Sequence, residues 1–436
     1  MLQLTKNISD VLWGYLLAPL LLGTGLFLFI RLRLLSIRKI GQGFKLTFTK
    51  RTTSEGKGEI SKFEALCAGL ASTIGIGNIA GVATAISLGG PGALFWMWVT
   101  AFLGMATRYT SGFLGARYRR ISRDGTVSGG PMYYLTDGLN LKWLAVIFSL
   151  FTVIATLGIG NMVQTNTVAR ELKDAFGIPH LMSGLVIGLL VGLVIIGGIK
   201  RIGKVASLLT PVMSLVYIGG ALIVLGINYQ NIIPSFKLIF YHAFNPTAAA
   251  GGFAGSVVLF TMRMGVARGL FSNEAGLGST PMIYAASKSD KPMNTGLVSM
   301  LGPFIDTIIV CTMTGLVIIT SGLWQSGDTG AVLTARSFQS AFALGRYFVT
   351  FGIILFALSS SIGWSYYGDK SIEFLFGRKG ILPYRIIYIT ALPVGAVFQL
   401  KLVWNFADIA NALMALPNLV GLLLLSHLVV SYTFKK

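Results

Sequence analysis

The sequence predicts an all-α polytopic membrane protein of about eleven transmembrane helices: one N-terminal helix, then an inverted five-plus-five repeat whose helices one and six are broken. Three observations carry that expectation. Mean hydropathy is +0.74, with 54% hydrophobic and only 11% charged residues in a chain of 436, where a soluble domain carries about 25% charged residues. About eleven apolar stretches of roughly 17 to 26 residues are each long enough to span a bilayer. Two of them, the second and the seventh, are interrupted at depth by Gly, Asn and Ser.

The expected spans are 11–31, 63–88, 92–117, 143–169, 182–199, 204–227, 249–270, 297–322, 348–368, 383–400 and 405–431. The first is expected to be a retained span rather than a signal peptide, because Lys6 stands nearly alone before it while Arg31, Arg33, Arg38 and Lys39 follow it. Residues 31–62 mix Leu, Ile and Phe with Arg and Lys, as an amphipathic helix on the inner surface would. The first unit is therefore 1–62, an extra helix with a basic inner segment. The first five-helix repeat covers 63–227 and the second, inverted repeat covers 249–436.

Net charge is +20. In a soluble chain that would suggest nucleic acid. Here its distribution sets topology. With the N-terminus outside, the inner segments hold 25 Lys and Arg and the outer ones 7. Basic residues stay on the cytoplasmic side, so the chain is expected in the cell membrane with its N-terminus outside and its C-terminus cytoplasmic. Cys67 and Cys311 both fall in apolar spans, which implies neither a disulfide framework nor a metal site.

The first break lies in Ala71-Ser-Thr-Ile-Gly-Ile-Gly-Asn-Ile-Ala-Gly81. In hydrocarbon an unpaired backbone N–H or C=O costs roughly several kcal/mol, so the freed groups must face protein, water or a ligand. The second break lies in Arg268-Gly-Leu-Phe-Ser-Asn-Glu-Ala-Gly-Leu-Gly-Ser-Thr280. Counted from the second span, the breaks fall in helices one and six of a ten-helix set. Blocks of five spans are inverted relative to each other, and interrupted segments at matching places in two inverted halves point to a transporter site. Gly77 to Gly81 also fits the small-xxx-small pattern of helix contacts. Asn78 and Asn273, one beside each break, favour a polar site.

At these residues the chain resembles the alanine or glycine:cation symporter family, the sodium:alanine symporters of bacteria and archaea. The resemblance is carried by 71–86, by Gly89-Gly-Pro-Gly-Ala-Leu-Phe-Trp-Met-Trp98, by 268–279, by Ser359-Ser-Ser-Ile-Gly-Trp-Ser-Tyr-Tyr-Gly-Asp369 and by Trp404-Asn-Phe-Ala-Asp-Ile-Ala-Asn411. Two departures are Ile76, where a small or hydroxyl residue is common, and Asp369, where Glu is common. The resemblance implies the leucine-transporter architecture and sodium-coupled symport of a small neutral amino acid, alanine or glycine, into the cell by alternating access. A proton-coupled carrier is the alternative, and an ion channel a remoter one. No cofactor is expected beyond sodium as the coupling ion.

A zwitterionic amino acid brings a carboxylate and an ammonium. The half-helix after Gly77 offers free N–H groups and a positive dipole end to the carboxylate, through Thr73, Gly75, Gly77 and Asn78. Carbonyls from Gly269 to Asn273 and the amide oxygen of Asn273 would take the ammonium. The resemblance places a polar substrate contact at Gln164 and a pocket wall at Trp364, with Phe271 a lesser candidate for the wall. It also implies a sodium site from the carbonyls of Ala71 and Ile74 with the hydroxyls of Ser359 and Ser360. Asn161 and Asn166, near Gln164, read as interhelical bonds. Intramembrane carboxylates are functional by default, which makes Asp306 and Asp408 candidates for ion coupling or gating. Arg263, Arg268 and Glu274 are expected to pair as an inner gate, since unpaired charges at that depth are costly.

An enzyme is disfavoured. Gly198-Ile-Lys-Arg-Ile-Gly-Lys-Val205 is one residue from a P-loop, but Val205 replaces the magnesium-binding Ser or Thr and no soluble strand precedes it. No nucleotide or nucleic-acid partner is implied. The expected partners are a small amino acid, sodium and the lipid bilayer.

Overall fold

The computed structural model describes residues 5, 7–8, 11–49, 56–245, 254–398 and 400–434. Lys6, Lys50, Arg51, Lys435 and Lys436 of the charge pattern, and 249–253 at the start of the seventh expected span, lie outside these. After a π-helical turn at Leu12–Leu17 come α1 (Ala18–Arg31), α2 (Leu35–Arg38) and α3 (Ile40–Phe48). The first broken span is α4 (Lys62–Thr73) with α5 (Gly77–Gly89), and α6 (Gly92–Arg117) follows. A two-stranded antiparallel ribbon, β1 (Arg120–Ile121) with β2 (Val127–Ser128), leads through the turn 131–138 to α7 (Lys142–Phe176), α8 (His180–Ile195), α9 (Gly198–Ile227) and α10 (Ile232–Phe244). The second interrupted segment is α11 (Ala254–Asn273), followed after the irregular stretch 274–280 by the short α12 (Pro281–Ala285). Then come α13 (Pro292–Thr320), α14 (Gly330–Gln339), α15 (Gly345–Phe376), α16 (Ile381–Val397), α17 (Leu400–Leu424) and α18 (Ser426–Phe434).

The chain is almost wholly helical, as its hydropathy demands. Among the described residues six helices are each long and apolar enough to cross a bilayer, and α4 with α5 qualifies as one span bent by 54°. The shorter α1 and α8 are also apolar. Bundle helices approach closely where glycine removes a side chain. A Cβ on Gly25 of α1 would lie 3.1 Å from the Leu103 Cβ of α6, and one on Gly184 of α8 would lie 2.7 Å from Pro393 Cα on α16. This is the small-residue packing expected where lipid gives no hydrophobic drive between helices.

α4 starts on a capping box: Ser61 Oγ accepts from Glu64 N at 3.1 Å, and Glu64 Oε2 accepts from Ser61 N at 2.7 Å. Two orphan donors are thereby satisfied. At the same end of the bundle, Arg119 donates to the carbonyls of Ala285, Ser287 and Ser289 after α12. Glu59 accepts from Val127 N at 2.7 Å. Asp369 on α15 is clamped by Arg385 on α16 at 2.6 Å, and Arg385 also donates to the Ile196 carbonyl beyond α8. Lys370 bridges Glu373 at 2.8 Å and Ser128 at 3.0 Å. This is the end that carries the basic loops. Asp124 and Arg378 pair across it, and the Arg378 guanidinium, with the Thr126 N–H, holds the Asp124 carboxyl well below the usual carboxylate range. A carboxyl depressed in this way adds stability above its ordinary pKa and loses it as pH falls through the folded-state value.

Candidate functional site

The two breaks meet. Helical pairing on the first strand stops at Thr73, and Ile74 turns to φ −71° and ψ 97°. α5 then begins in a π-helical turn at Gly77–Gly81. On the second strand α11 runs through Asn273, and Glu274 takes a left-handed φ of 52° before the irregular stretch to Thr280. The expected unwinding from Gly269 therefore starts five residues later, at Glu274: Gly269 lies within the helix. Glycine is needed there because a Cβ would sit 2.4 Å from Thr100 Oγ1. A Cβ on Gly77 would lie 3.2 Å from Ser272 Cα, so the two broken strands pass almost in contact.

Each break is stapled by its own asparagine. Asn78 Oδ1 accepts from Gly75 N at 2.8 Å, and Asn273 Oδ1 accepts from Ala275 N at 3.0 Å. The Asn273 oxygen expected to meet an ammonium is thus engaged by its own backbone. Both amide nitrogens point to one place, the π-helical segment Phe304–Cys311 within α13. Asn78 Nδ2 donates to Asp306 Oδ1 at 2.8 Å and Asn273 Nδ2 to Thr307 Oγ1 at 3.3 Å. Asp306 Oδ2 also accepts from Ser272 Oγ at 2.9 Å and Thr307 Oγ1 at 2.7 Å. The buried Asp306 carboxylate therefore ties the first break to the second through charge-assisted hydrogen bonds.

Gln164 lies where α7 leaves its own π-helical turn, Gly158–Val163. Its Nε2 donates to the Ile159 carbonyl at 3.1 Å, while its Oε1 is buried and has no hydrogen-bond partner among the described residues. That oxygen faces the first break, since a Cβ on Gly75 would lie 3.6 Å from it and 2.5 Å from Ser360 Oγ. Buried acceptors are normally satisfied, so this one, set beside the first break, is a candidate acceptor for a donor from outside the protein. Ser360 Oγ reaches the Ile74 carbonyl at 3.4 Å, and Ser359 Oγ donates to its own helix at Phe356 O. Ala71 is buried one turn earlier on α4. Thr73 Oγ1 turns back to the Gly69 carbonyl at 3.2 Å.

Trp364 is 1% exposed, so it is no interfacial aromatic. Its indole N–H donates to the Ser72 carbonyl at 3.2 Å, and its ring meets Tyr367 edge-on at 5.3 Å. A Cβ on Gly160 would come within 2.1 Å of Trp364 Cβ. Gly160→Ala is therefore expected to push Trp364 out of place at about 1–3 kcal/mol, read as a lower melting temperature of the purified protein together with lost transport. Asn161 and Asn166 make the interhelical bonds expected of them, to the Tyr388 carbonyl and to those of Gly395 and Phe398.

The expected gate of Arg263, Arg268 and Glu274 does not assemble. Glu274 accepts from Ser279 Oγ at 2.6 Å. Arg263 and Arg268 instead line a small cleft with Asp408, Phe271 and Trp13. There Arg268 lies over the rings of Phe271 and Trp404, which stack on each other at 5.2 Å. The cause is the helical path of α11: Arg263 and Arg268 leave it about three and two turns before Glu274, at other levels and on other faces than its broken end. A buried cation that bonds the second break was not among the candidate site residues read from the sequence. Arg108 on α6, 1% exposed, donates from Nη2 to the Asn273 carbonyl at 2.9 Å and leaves Nε and Nη1 without hydrogen bonds. Its place within an apolar span was the only available signal.

The sodium:alanine symporter family model matches residues 1–435. The chain belongs to this family. The symporter is 48% identical over 439 residues to the sodium/alanine symporter AgcS of Methanococcus maripaludis, covering 99% of this chain and 96% of that one. It is 38% identical to the probable sodium/glutamine symporter GlnT of Bacillus subtilis, covering 97% and 87% respectively. Among solved structures it resembles MhsT in complex with L-phenylalanine, with a TM-score of 0.57 at 15% identity over 85% of this chain and 89% of that one. The shared fold is that of the leucine transporter. The symporter is a transporter and not an enzyme, a multi-pass membrane protein that couples amino-acid movement to a cation.

Proposed function

We propose that the protein carries a small neutral amino acid, alanine foremost, together with sodium into the cell by alternating access. The observation that carries this reading is the buried, unpartnered Gln164 Oε1 facing two broken helices at Gly75. In the proposed complex the carboxylate lies on the start of α5, at the backbone of Gly77, where N–H groups and the helix dipole favour an anion, while Gly75, whose N–H is held by Asn78 Oδ1, leaves the space beside Ser360 and Gln164 open. Thr73 and Asn78 hold that backbone in shape. The ammonium donates to Gln164 Oε1 and to carbonyls near Phe271 and Asn273. Trp364 and Phe271 close the pocket and Gly269 lets α11 approach α6, which leaves room for a methyl side chain and little more.

Sodium sits between the carbonyls of Ala71 and Ile74 and the hydroxyls of Ser359 and Ser360. The proximity of Ser360 Oγ to the Ile74 carbonyl supports this, and unwound carbonyls are the usual sodium ligands of such folds. Asp306, bonded to both strands, transmits occupancy of one break to the other. Arg263, Arg268 and Asp408 form an outer cluster suited to gating, and Glu274 with Arg108 braces the lower side of the second break. The charge bias supports an outside N-terminus and a cytoplasmic C-terminus. Repeats at 63–227 and 249–436 account for breaks in helices one and six.

Uptake of labelled alanine into proteoliposomes tests the reading. Accumulation is expected with an inward sodium gradient and is expected to collapse with a sodium ionophore, while excess glycine competes. Uptake driven by a proton gradient alone would remove the sodium site. GlnT makes glutamine the competitor to include, and preference for glutamine over alanine would sink the small-substrate reading.

A further inference from the structure

At the basic end of the bundle, a cavity of ≈ 360 Å³ opens between α1, α2, the start of α13 and the end of α18. It carries three cations, Arg33, Arg38 and Lys39, and no carboxylate lines it among the described residues. All three are exposed, and none of their side chains makes a hydrogen bond or ion pair among the described residues; Arg33 lies over the Phe434 ring at 5.1 Å. Its floor is apolar, formed by the buried Leu32, Leu35 and Leu297. The chain reaches this shape through two consecutive left-handed residues, Arg33 at φ 53° and Leu34 at φ 56°. That conformation is unfavourable for residues with a Cβ. The turn brings Arg33 to the same cavity as Arg38 and Lys39.

We propose that this cavity binds one anionic phospholipid, its phosphate held by Arg33, Arg38 and Lys39 and its first acyl carbons laid on Leu32, Leu35 and Leu297. Three unopposed cations match a phosphodiester, to which guanidinium groups donate in pairs, and basic pockets between helices at the membrane surface are suited to lipid head groups. The apolar floor favours a lipid over a free anion. So do Leu34 and Ile37 beside the cavity, which are 47% and 46% exposed and need hydrocarbon contact. The bound lipid staples the N-terminal helix to the transport core. On α3, a Cβ at Gly43 would lie 2.6 Å from the Leu297 carbonyl of α13, and α13 carries Asp306. Occupancy therefore steadies the helix on which both breaks converge.

The test uses the full-length protein in neutral detergent and does not depend on what is transported. Melting temperature is measured with added dioleoyl phosphatidylglycerol, dioleoyl phosphatidylcholine or inorganic phosphate, and retained lipid is counted by native mass spectrometry. Phosphatidylglycerol is expected to raise the melting temperature by a few degrees beyond phosphatidylcholine, with one molecule retained per chain. In Arg33→Gln/Arg38→Gln/Lys39→Gln that difference should vanish. It should persist in Lys142→Gln/Lys200→Gln/Lys204→Gln, which removes as many exposed cations elsewhere. Should the first triple variant fail to fold, the single changes Arg38→Gln and Lys39→Gln, at exposed positions, should each weaken retention. Equal effects of the two lipids, an equal shift from phosphate alone, or unchanged selectivity in the cavity variants would each overturn the proposal.

Discussion

Replacing Gln164 by leucine is expected to raise the KM for the transported amino acid roughly tenfold to a hundredfold while leaving the protein folded. A hydrogen bond to a charged group contributes about 1.5–3 kcal/mol, and each 1.4 kcal/mol is about tenfold in affinity. The change removes Oε1, which has no partner among the described residues, and one bond from Nε2 to the Ile159 carbonyl. Stability should therefore fall by no more than about 1–3 kcal/mol, the cost of leaving that carbonyl unpaired. Initial rates of alanine uptake across a concentration series, set beside the melting temperature with and without alanine, separate the two effects. An unchanged KM would exclude Gln164 from substrate contact.

Changing Asp306 is expected to do more damage. Its carboxylate accepts hydrogen bonds from Asn78, Ser272 and Thr307 at once. Asp306→Ala removes the carboxylate that Asn78, Ser272 and Thr307 share, and although Asn78 keeps the Asp306 carbonyl at 3.1 Å and Ser272 keeps Cys311 Sγ at 3.4 Å, each charge-assisted bond lost costs about 1–3 kcal/mol, so both stability and transport should fall sharply. Asp306→Asn keeps the volume and one acceptor oxygen but removes the charge and presents an amide to the remaining donors. It should yield a folded protein whose sodium-driven uptake is at least about tenfold lower, since a 1.4 kcal/mol disturbance at the breaks already has that effect. Wild-type uptake and melting temperature in Asp306→Ala would show that the junction of the two strands is unimportant. Normal alanine binding with abolished transport in Asp306→Asn would place the residue in the coupling step.

Membrane residence and the two broken helices were readable from the amino-acid order, because hydropathy and backbone breaking are local properties. Gly75, Gly77 and Asn78 are weak helix formers set close together, and apolar runs become helices because hydrocarbon leaves their backbone no other partner. The position of the second break was less accurate. Gly269 is flexible by composition, yet α11 continues past it because the close approach to Thr100 uses the missing Cβ for packing.

The partners of the buried polar groups were not readable. Arg263, Arg268 and Glu274 lie within twelve residues and invite pairing, but they reach different levels of the bundle. Asp306 was one of several intramembrane carboxylates until the fold set it between Asn78 and Ser272. Arg108 appeared only as a cation in an apolar span until α6 packed beside the second break. Sequence alone determined the solvent, the helices and the places where they break, since each follows from residues near one another in the chain. Tertiary structure decided which polar groups meet, because that depends on the rotation and depth at which distant helices pack, and no stretch of neighbouring residues encodes either.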